Sequence, residues 1–340
     1  MPAVEVNSGI ELTVGMPSMN ILVAGGAGFI GSHVVDRLLR TTDATVRVFD
    51  NFSSGREWRL EPHLASRRLA ILRGDLKDLA AISEATKGVQ RVYHFASNPD
   101  IAKAMVDPSI DFWEGTYLTQ NLLEAIRTAG CDELVYASGS GVYGDTGQLA
   151  VSEDYAPLLP ISPYGASKLA CEAMIHAYVH MFGLRARVFR FANVVGPRQS
   201  HGVAFDFILR LREKPSTLRI LGDGTQSKSY IHVDDIVTGI QYFAERDREP
   251  YSYYHLATDD YLTVREIADL VVNEMTLPDV QYDFTGGSRG WKGDVPVVRF
   301  DLAKVHRAGW RAARSSAEAM RAAIRSMLGQ TVLDSPDERS

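Results

Sequence analysis

Hydrophobic positions along this chain alternate between short solid runs and helical spacing. Residues 21–24, 46–50, 69–73, 91–97, 133–137 and 186–191 are short apolar runs bounded by Gly, Asp, Asn or Ser. Runs of that length and bounding predict buried strands. Between them apolar residues recur every three or four positions. Val34, Val35, Leu38 and Leu39 share one face of a helix over 32–40, and Leu118, Leu122 and Ala125 mark a long helix over 110–128. A second long helix opens at Pro163 and reaches about residue 182. Residues 56–68 are polar and predict short helix and loop. Strands alternating with helices through short connections predict an α/β fold, a Rossmann-like doubly wound parallel sheet.

The texture changes after residue 192. Helices are expected over 203–212, 234–244 and 316–328, and strands over 219–221 and 253–256. Thr263 reads as the N-cap of a helix over 264–275, with Glu266 completing a capping box. Glycine-rich loops lie at 222–224 and 286–293. The expected organisation is a flexible extension over 1–18, a dinucleotide-binding domain over 19–192, a smaller C-terminal substrate-binding lobe over 193–330 interleaved with the first domain, and a polar tail over 331–340. The extension lacks the basic start and apolar centre of a signal peptide, and Met16 or Met19 is an alternative start.

Composition narrows the function classes. The chain has 340 residues, 45% of them hydrophobic, and a net charge of −6. That is enough for a large core, and a mildly acidic chain without a basic block argues against a nucleic-acid partner. No apolar run approaches the roughly 20 residues of a membrane span. Cys131 and Cys171 are the only cysteines and have no metal or disulfide spacing, which fits a reducing cytoplasm.

The candidate chemistry begins at the first strand. Gly25, Gly28 and Gly31 follow residues 21–24 at three-residue spacing and open the helix that carries Phe29 and Ile30. Strand, glycine turn and helix start form a dinucleotide fingerprint: a tight turn, close backbone approach to a pyrophosphate, and close helix packing. Asp50 ends the second strand, where a carboxylate accepts both hydroxyls of an adenosine ribose and repels a 2′-phosphate. NAD is therefore the expected cofactor. Residues just past parallel strand ends line the ligand crevice, which nominates Asn51, Ser53, Ser54 and Gly55, then Asp75 and Leu76, then Phe95, Ala96 and Ser97. Asp75 is equally well read as the cap of a helix over 79–86, and His94 as a hydrogen-bonded core histidine. Tyr164 and Lys168 share a helix face at i and i+4. In that pair the ammonium lowers the phenol pKa and holds the cofactor ribose, and the tyrosinate takes a proton from a substrate hydroxyl as hydride leaves for the nicotinamide.

GGAGFIG, DNFSSG, GDL, YASGSGVYG, SPYGASK, RFANVVGPR, LGDGTQSKSYIHVDD and GDVPVVRFD stand in an order that resembles the extended short-chain dehydrogenases/reductases. More narrowly, the chain resembles nucleotide-sugar epimerases of the UDP-glucose 4-epimerase type over about residues 19 to 328. The resemblance implies a tightly held NAD and a nucleotide-sugar substrate, UDP-sugars being favoured. The reaction oxidises a C4 hydroxyl, turns the keto sugar over and returns the hydride, with Tyr164 as acid/base and Lys168 as its partner. It places Asn193 at the diphosphate or nucleotide and Lys228 where the family has a phosphate-binding arginine. It also implies a homodimer built from the two long helices. Phe205, within 201–213, is the candidate pocket residue for the sugar or base.

Three departures from the pattern stand out. Gly139 replaces a Ser or Thr that holds the sugar hydroxyl, leaving Ser138, Ser140 or an ordered water as substitutes. Gly115 replaces an asparagine. Trp291 replaces an arginine, with Arg289 and Lys292 nearby. The Asp-Glu pair of related dehydratases falls on Ser140 and Gly141, which favours an epimerase over a 4,6-dehydratase. A dehydratase with another acid, or a cofactor-binding protein without turnover, are the alternatives.

Overall fold

The computed structural model describes residues 19–329. The expectations for 1–18 and 331–340 fall outside the described residues. Strands Asn20–Ala24, Thr45–Asp50, Leu69–Arg73, Arg91–His94, Glu133–Gly139, Arg185–Phe191 and Tyr251–Leu256 form one sheet. Every neighbouring pair is parallel, in the order 251–256, 185–191, 133–139, 91–94, 20–24, 45–50, 69–73. Chain direction across the sheet reverses between Asn20–Ala24 and Arg91–His94. In an open parallel sheet a ligand crevice forms at the C-terminal ends of such strands.

The alternation of side chains divides each strand between two cores. Ile21 and Val23 join the apolar layer under the helices Phe29–Thr41 and Val233–Arg246, whereas Leu22 and Ala24 join the layer under Leu79–Ala85, Leu118–Ala129 and Pro163–Phe182. A third core lies apart from the sheet. It is made by Val203–Glu213, Val264–Glu274 and Ser316–Gly329 against the parallel pair Thr217–Ile220 and Gln281–Phe284. The last strand of the sheet and the Val233–Arg246 helix come from chain beyond residue 192, so the two regions interleave. The capping box is present: Glu266 N donates to Thr263 Oγ1 (3.1 Å) and Thr263 N to Glu266 Oε2 (2.7 Å).

Three local features differ from the sequence reading. The long helix before Ala129 contains a π-helical turn over Phe112–Tyr117. There Ser167 Oγ donates to the Asp111 carbonyl (2.7 Å) and shares a hydrogen bond with Thr116 Oγ1 (2.9 Å). A hydroxyl inserted into the carbonyl ladder widens the turn. A Cβ at Gly115 would stand 2.3 Å from Ser167 Oγ, so the missing asparagine is the condition for this helix approach. Asp78, not Asp75, caps Leu79–Ala85, accepting from the amides of Ala80 and Ala81 (3.0 and 3.1 Å). Asp75 instead accepts from Lys77 N and Asn51 Nδ2. His94 is buried with only half its capacity met: Nε2 bonds Thr119 Oγ1 (2.9 Å), and Nδ1 has no partner.

Burial lowers His94 to about 3, with the Lys168 charge adding to the effect. Burial likewise lowers His255 to about 4 against the pull of its bond to the Asp301 carbonyl. Unfolded histidines titrate near 6.5, so between those values the unfolded chain binds more protons than the folded one. The stability is full above about pH 6.5 and is lost as pH falls toward 4. Thermal melts from pH 7.5 to 4 should show a falling midpoint, worth at most ~1.4 kcal/mol per pH unit per histidine, and His94→Asn should flatten the slope. A midpoint indifferent to pH over this window would contradict the assignment.

Candidate active site

The first strand ends at Gly25, whose φ is +76°. A Cβ there would lie 2.6 Å from Ala96 N, and a Cβ at Gly31 would lie 2.2 Å from Gly25 O. Only glycine lets the two strand ends and the first helix meet backbone to backbone. The helix starts after Gly28, and its first intrahelical bond is Ser32 N to Gly28 O (3.1 Å). The amides of Phe29, Ile30 and Gly31 are thus left without an intrahelical acceptor, an anion-binding arrangement. The side chains of Phe29 and Ile30 pack on the core.

Beside this turn opens a cleft of about 530 Å³, its mouth included. Gly25 and Gly28 line it from the first strand, Asp50, Asn51, Ser53 and Ser54 from the second, Asp75 and Leu76 from the third, and Phe95, Ala96 and Ser97 from the fourth. Gly31 and Gly55 do not line it: Gly31 sits against the Gly25 backbone, and Gly55 against the side chains of Asp50 and Ala27. Phe49, Gly74, Glu114 and Leu118 line it unforeseen. Phe49 and Gly74 adjoin residues already nominated. Glu114 and Leu118 reach the cleft from a distant helix and carry no local motif. Their only signal is the i, i+4 spacing.

Asp50 is 8% exposed. Its Oδ2 accepts from Ala27 N (2.9 Å) and its Oδ1 from Phe52 N (2.8 Å). Burial raises its pKa, opposed by those two bonds and by Arg59 and Arg73. The carboxylate therefore starts the turn after the strand and also lines the cleft, and each oxygen keeps a lone pair for a ligand hydroxyl. A glycine cradle, free helix-start amides and this acid together fit an adenine dinucleotide.

The Pro163–Phe182 helix is capped by Ser162, whose Oγ accepts from Gly165 N (3.1 Å). Tyr164 is half-buried and Lys168 buried. Lys168 Nζ donates to the Ala137 carbonyl (2.8 Å) and lies 5.6 Å from the Tyr164 ring centre. Neither lines the glycine-turn cleft. They stand by the end of Glu133–Gly139, the neighbour of the strand whose end does. The following loop rests directly on the helix start, since a Cβ at Gly165 would lie 2.4 Å from Gly141 O. Ser140 is half-buried in that loop. Ser138 is a correction: it is 4% exposed and its hydroxyl is taken by Glu172, buried beneath the helix that carries Tyr164. Gly139 is extended, and no atom lies within 4 Å of the point where a Cβ would stand.

Of the remaining candidates, Lys228 and Arg289 meet at Asp294, and Asn193 and Phe205 stand elsewhere. Asn193 is exposed at the start of Asn193–Val195. Lys228 Nζ pairs with Asp294 Oδ1 (2.6 Å). Arg289 pairs with Asp145 (2.6 Å) and donates to the Asp294 carbonyl (2.5 Å). Phe205 is a second correction, being 1% exposed inside the third core; the apolar period of its helix turns it inward. Among the described residues no three His, Cys, Asp or Glu side chains are grouped to hold a metal, and no helix is long and apolar enough to cross a membrane.

Residues 21–257 match the sequence profile described as the NAD dependent epimerase/dehydratase family. A UDP-glucose 4-epimerase of Mycolicibacterium smegmatis is 35% identical over 229 residues, 64% of this chain and 71% of that protein. The crystal structure of a UDP-galactose 4-epimerase superposes with TM-score 0.81 at 36% identity, over 92% of this chain and all of that one. DesIV, a dTDP-glucose 4,6-dehydratase from Streptomyces venezuelae solved with NAD bound, superposes with TM-score 0.85 at 29% identity, over 91% and 97%.

In an Asp50→Asn variant one of the Ala27 and Phe52 amides faces an NH2 group. Such an unmet buried donor costs about 1–3 kcal/mol. The thermal midpoint should fall, and calorimetric affinity for NAD should drop about 10- to 100-fold. Unchanged binding would remove Asp50 from the cleft's function.

Proposed function

The chain belongs to the NAD dependent epimerase/dehydratase family, and within it we propose a nucleotide-sugar 4-epimerase of the UDP-glucose/UDP-galactose kind. The observation that carries this reading is the Tyr164–Lys168 pair beside a loop, 139–144, that holds no carboxyl group. NAD in the cleft would accept a hydride and give it back. The protein's part is to move one proton and hold the sugar. Tyr164 takes the proton of the C4 hydroxyl as the ketone forms and returns it when the alcohol is remade on the other face. Lys168 spends one N–H on the Ala137 carbonyl and keeps two for Tyr164 and a cofactor ribose. Lys228 and Arg289 are the diphosphate contacts in this reading, and Lys228 acts there as a point charge rather than a fork.

A dehydratase is the second reading, favoured by the close superposition on DesIV. It requires an acid to protonate a leaving hydroxyl, and that acid would have to come from outside loop 139–144. We also propose a homodimer. Phe112 and Trp113 on one long helix and Met181 and Phe182 on the other are 47–69% exposed, an apolar surface of the kind that pairs.

Incubation with a panel of nucleotide sugars in D2O decides the reaction. A C4 epimer free of deuterium supports the epimerase; deuterium at C5, with or without loss of water, replaces it by C–H deprotonation next to the ketone. Tyr164→Phe should lower turnover about 10²- to 10⁴-fold with NAD binding retained, and full activity would remove Tyr164 from its role. Light scattering should give twice the 37.5 kDa chain mass, and a monomer at micromolar concentration would contradict the dimer.

A further inference from the structure

Behind the Pro163–Phe182 helix lies a buried polar cluster that the reaction above does not use. Ser138, Arg190 and His255 are register partners on three adjoining parallel strands, so they stand side by side on one face. Glu172 descends on them from the helix that carries Tyr164 and Lys168. Positions 164, 168 and 172 form one stripe of that helix. The Arg190 guanidinium is 5% exposed. Its Nε and Nη2 donate to both Glu172 oxygens (2.6–3.2 Å), and its Nη1 donates to Tyr143 Oη (2.7 Å) and the Glu153 carbonyl (2.8 Å). Glu172 also accepts the Ser138 hydroxyl.

Tyr143 is fixed a second time. Its hydroxyl bonds His255 Nε2, whose other nitrogen donates to the Asp301 carbonyl (3.0 Å). Burial keeps His255 neutral at physiological pH, so Nε2 is an acceptor, and burial holds the Tyr143 phenol protonated against the pull of Arg190.

Ser138 and Tyr143 are the two ends of the segment 139–142, Gly-Ser-Gly-Val. Gly139 is paired with Phe191 in the sheet, Ser140–Tyr143 form a single 3₁₀ turn and Val142 is buried in the core, but the two glycines leave the backbone at 139 and 141 freer than other residues would. One guanidinium holds both of its ends: Ser138 through Glu172, and Tyr143 directly. We propose that Arg190 is a positioning residue, a clamp that keeps the segment 139–142 against Tyr164 while the substrate is between its two half-reactions.

The proposal rests on the epimerase reading for its consequence. After the first half-reaction the C4–H bond is broken, the hydride is on the nicotinamide, the hydroxyl proton is on Tyr164, and the sugar is a ketone. A segment that wanders lets the ketone leave at that point. The enzyme is then left with reduced cofactor and no partner for it. A substitution that only lowers stability does not produce that residue of reduced nicotinamide.

The test uses the full chain loaded with NAD. Arg190→Lys keeps the charge but loses the fork; Tyr143→Phe removes one hydroxyl and is the milder variant should the first fail to fold. Amide hydrogen exchange over 139–142 should rise at least tenfold in either variant, with the central strands still protected. On a sugar that the wild type turns over, kcat should fall at least tenfold with KM within threefold, and reduced nicotinamide should accumulate in its near-ultraviolet absorbance. Unchanged exchange over 139–142 in both variants, or slower turnover without reduced nicotinamide, would overturn the clamp. A wild type that epimerises no nucleotide sugar would sink the proposed function instead, and the exchange measurement would still decide the clamp.

Discussion

The structure depends on a backbone-to-backbone contact where the order of strands across the parallel sheet reverses. Gly25, Gly31 and Ala96 meet there with no room for a side chain between them. This contact lets the first strand, the fourth strand and the first helix converge. It therefore sets where the crevice opens and where the helix-start amides stand. The cleft-lining strand-end residues take their place from that point: those after the second and fourth strands follow strands registered directly against the first, and Asp75 and Leu76 follow a strand registered against the second.

Two kinds of packing surround this point and do different work. The apolar layers on the two faces of the sheet hold the strands with nondirectional contacts. The region around Tyr164 is held instead by directional bonds: Lys168 to a strand carbonyl, Ser138 and Arg190 to Glu172, Tyr143 to His255. Breaking one member of such a buried set is costly because its partners are left unpaired. That is a means of fixing a geometry more than of adding stability.

Much of the fold was legible because its signals are local. Solid apolar runs, the glycine spacing at 25, 28 and 31 and the Thr263–Glu266 box each specify their element within a few residues. What escaped depends on partners distant in sequence. The π turn follows from Ser167 reaching Asp111, 56 residues away. Glu114 and Leu118 line the cleft from the segment 112–129, far in sequence from the strand ends that form the rest of it. Ser138 is buried under the helix because Glu172, 34 residues away, takes its hydroxyl, which its own neighbourhood does not encode. Phe205 sits in the third core because the apolar period of its helix, which pairs with elements far along the chain, decides its face. Asp75 and Asp78 are both plausible caps by spacing, and backbone geometry chooses the second.

Asp50 carries one more consequence. Its two oxygens accept from the amides of Ala27 and Phe52, so the turn they define is held by bonds within the chain. A ligand entering the cleft meets a wall in its final shape and loses little freedom of the chain on binding. Affinity that would otherwise go into ordering a loop remains available for binding.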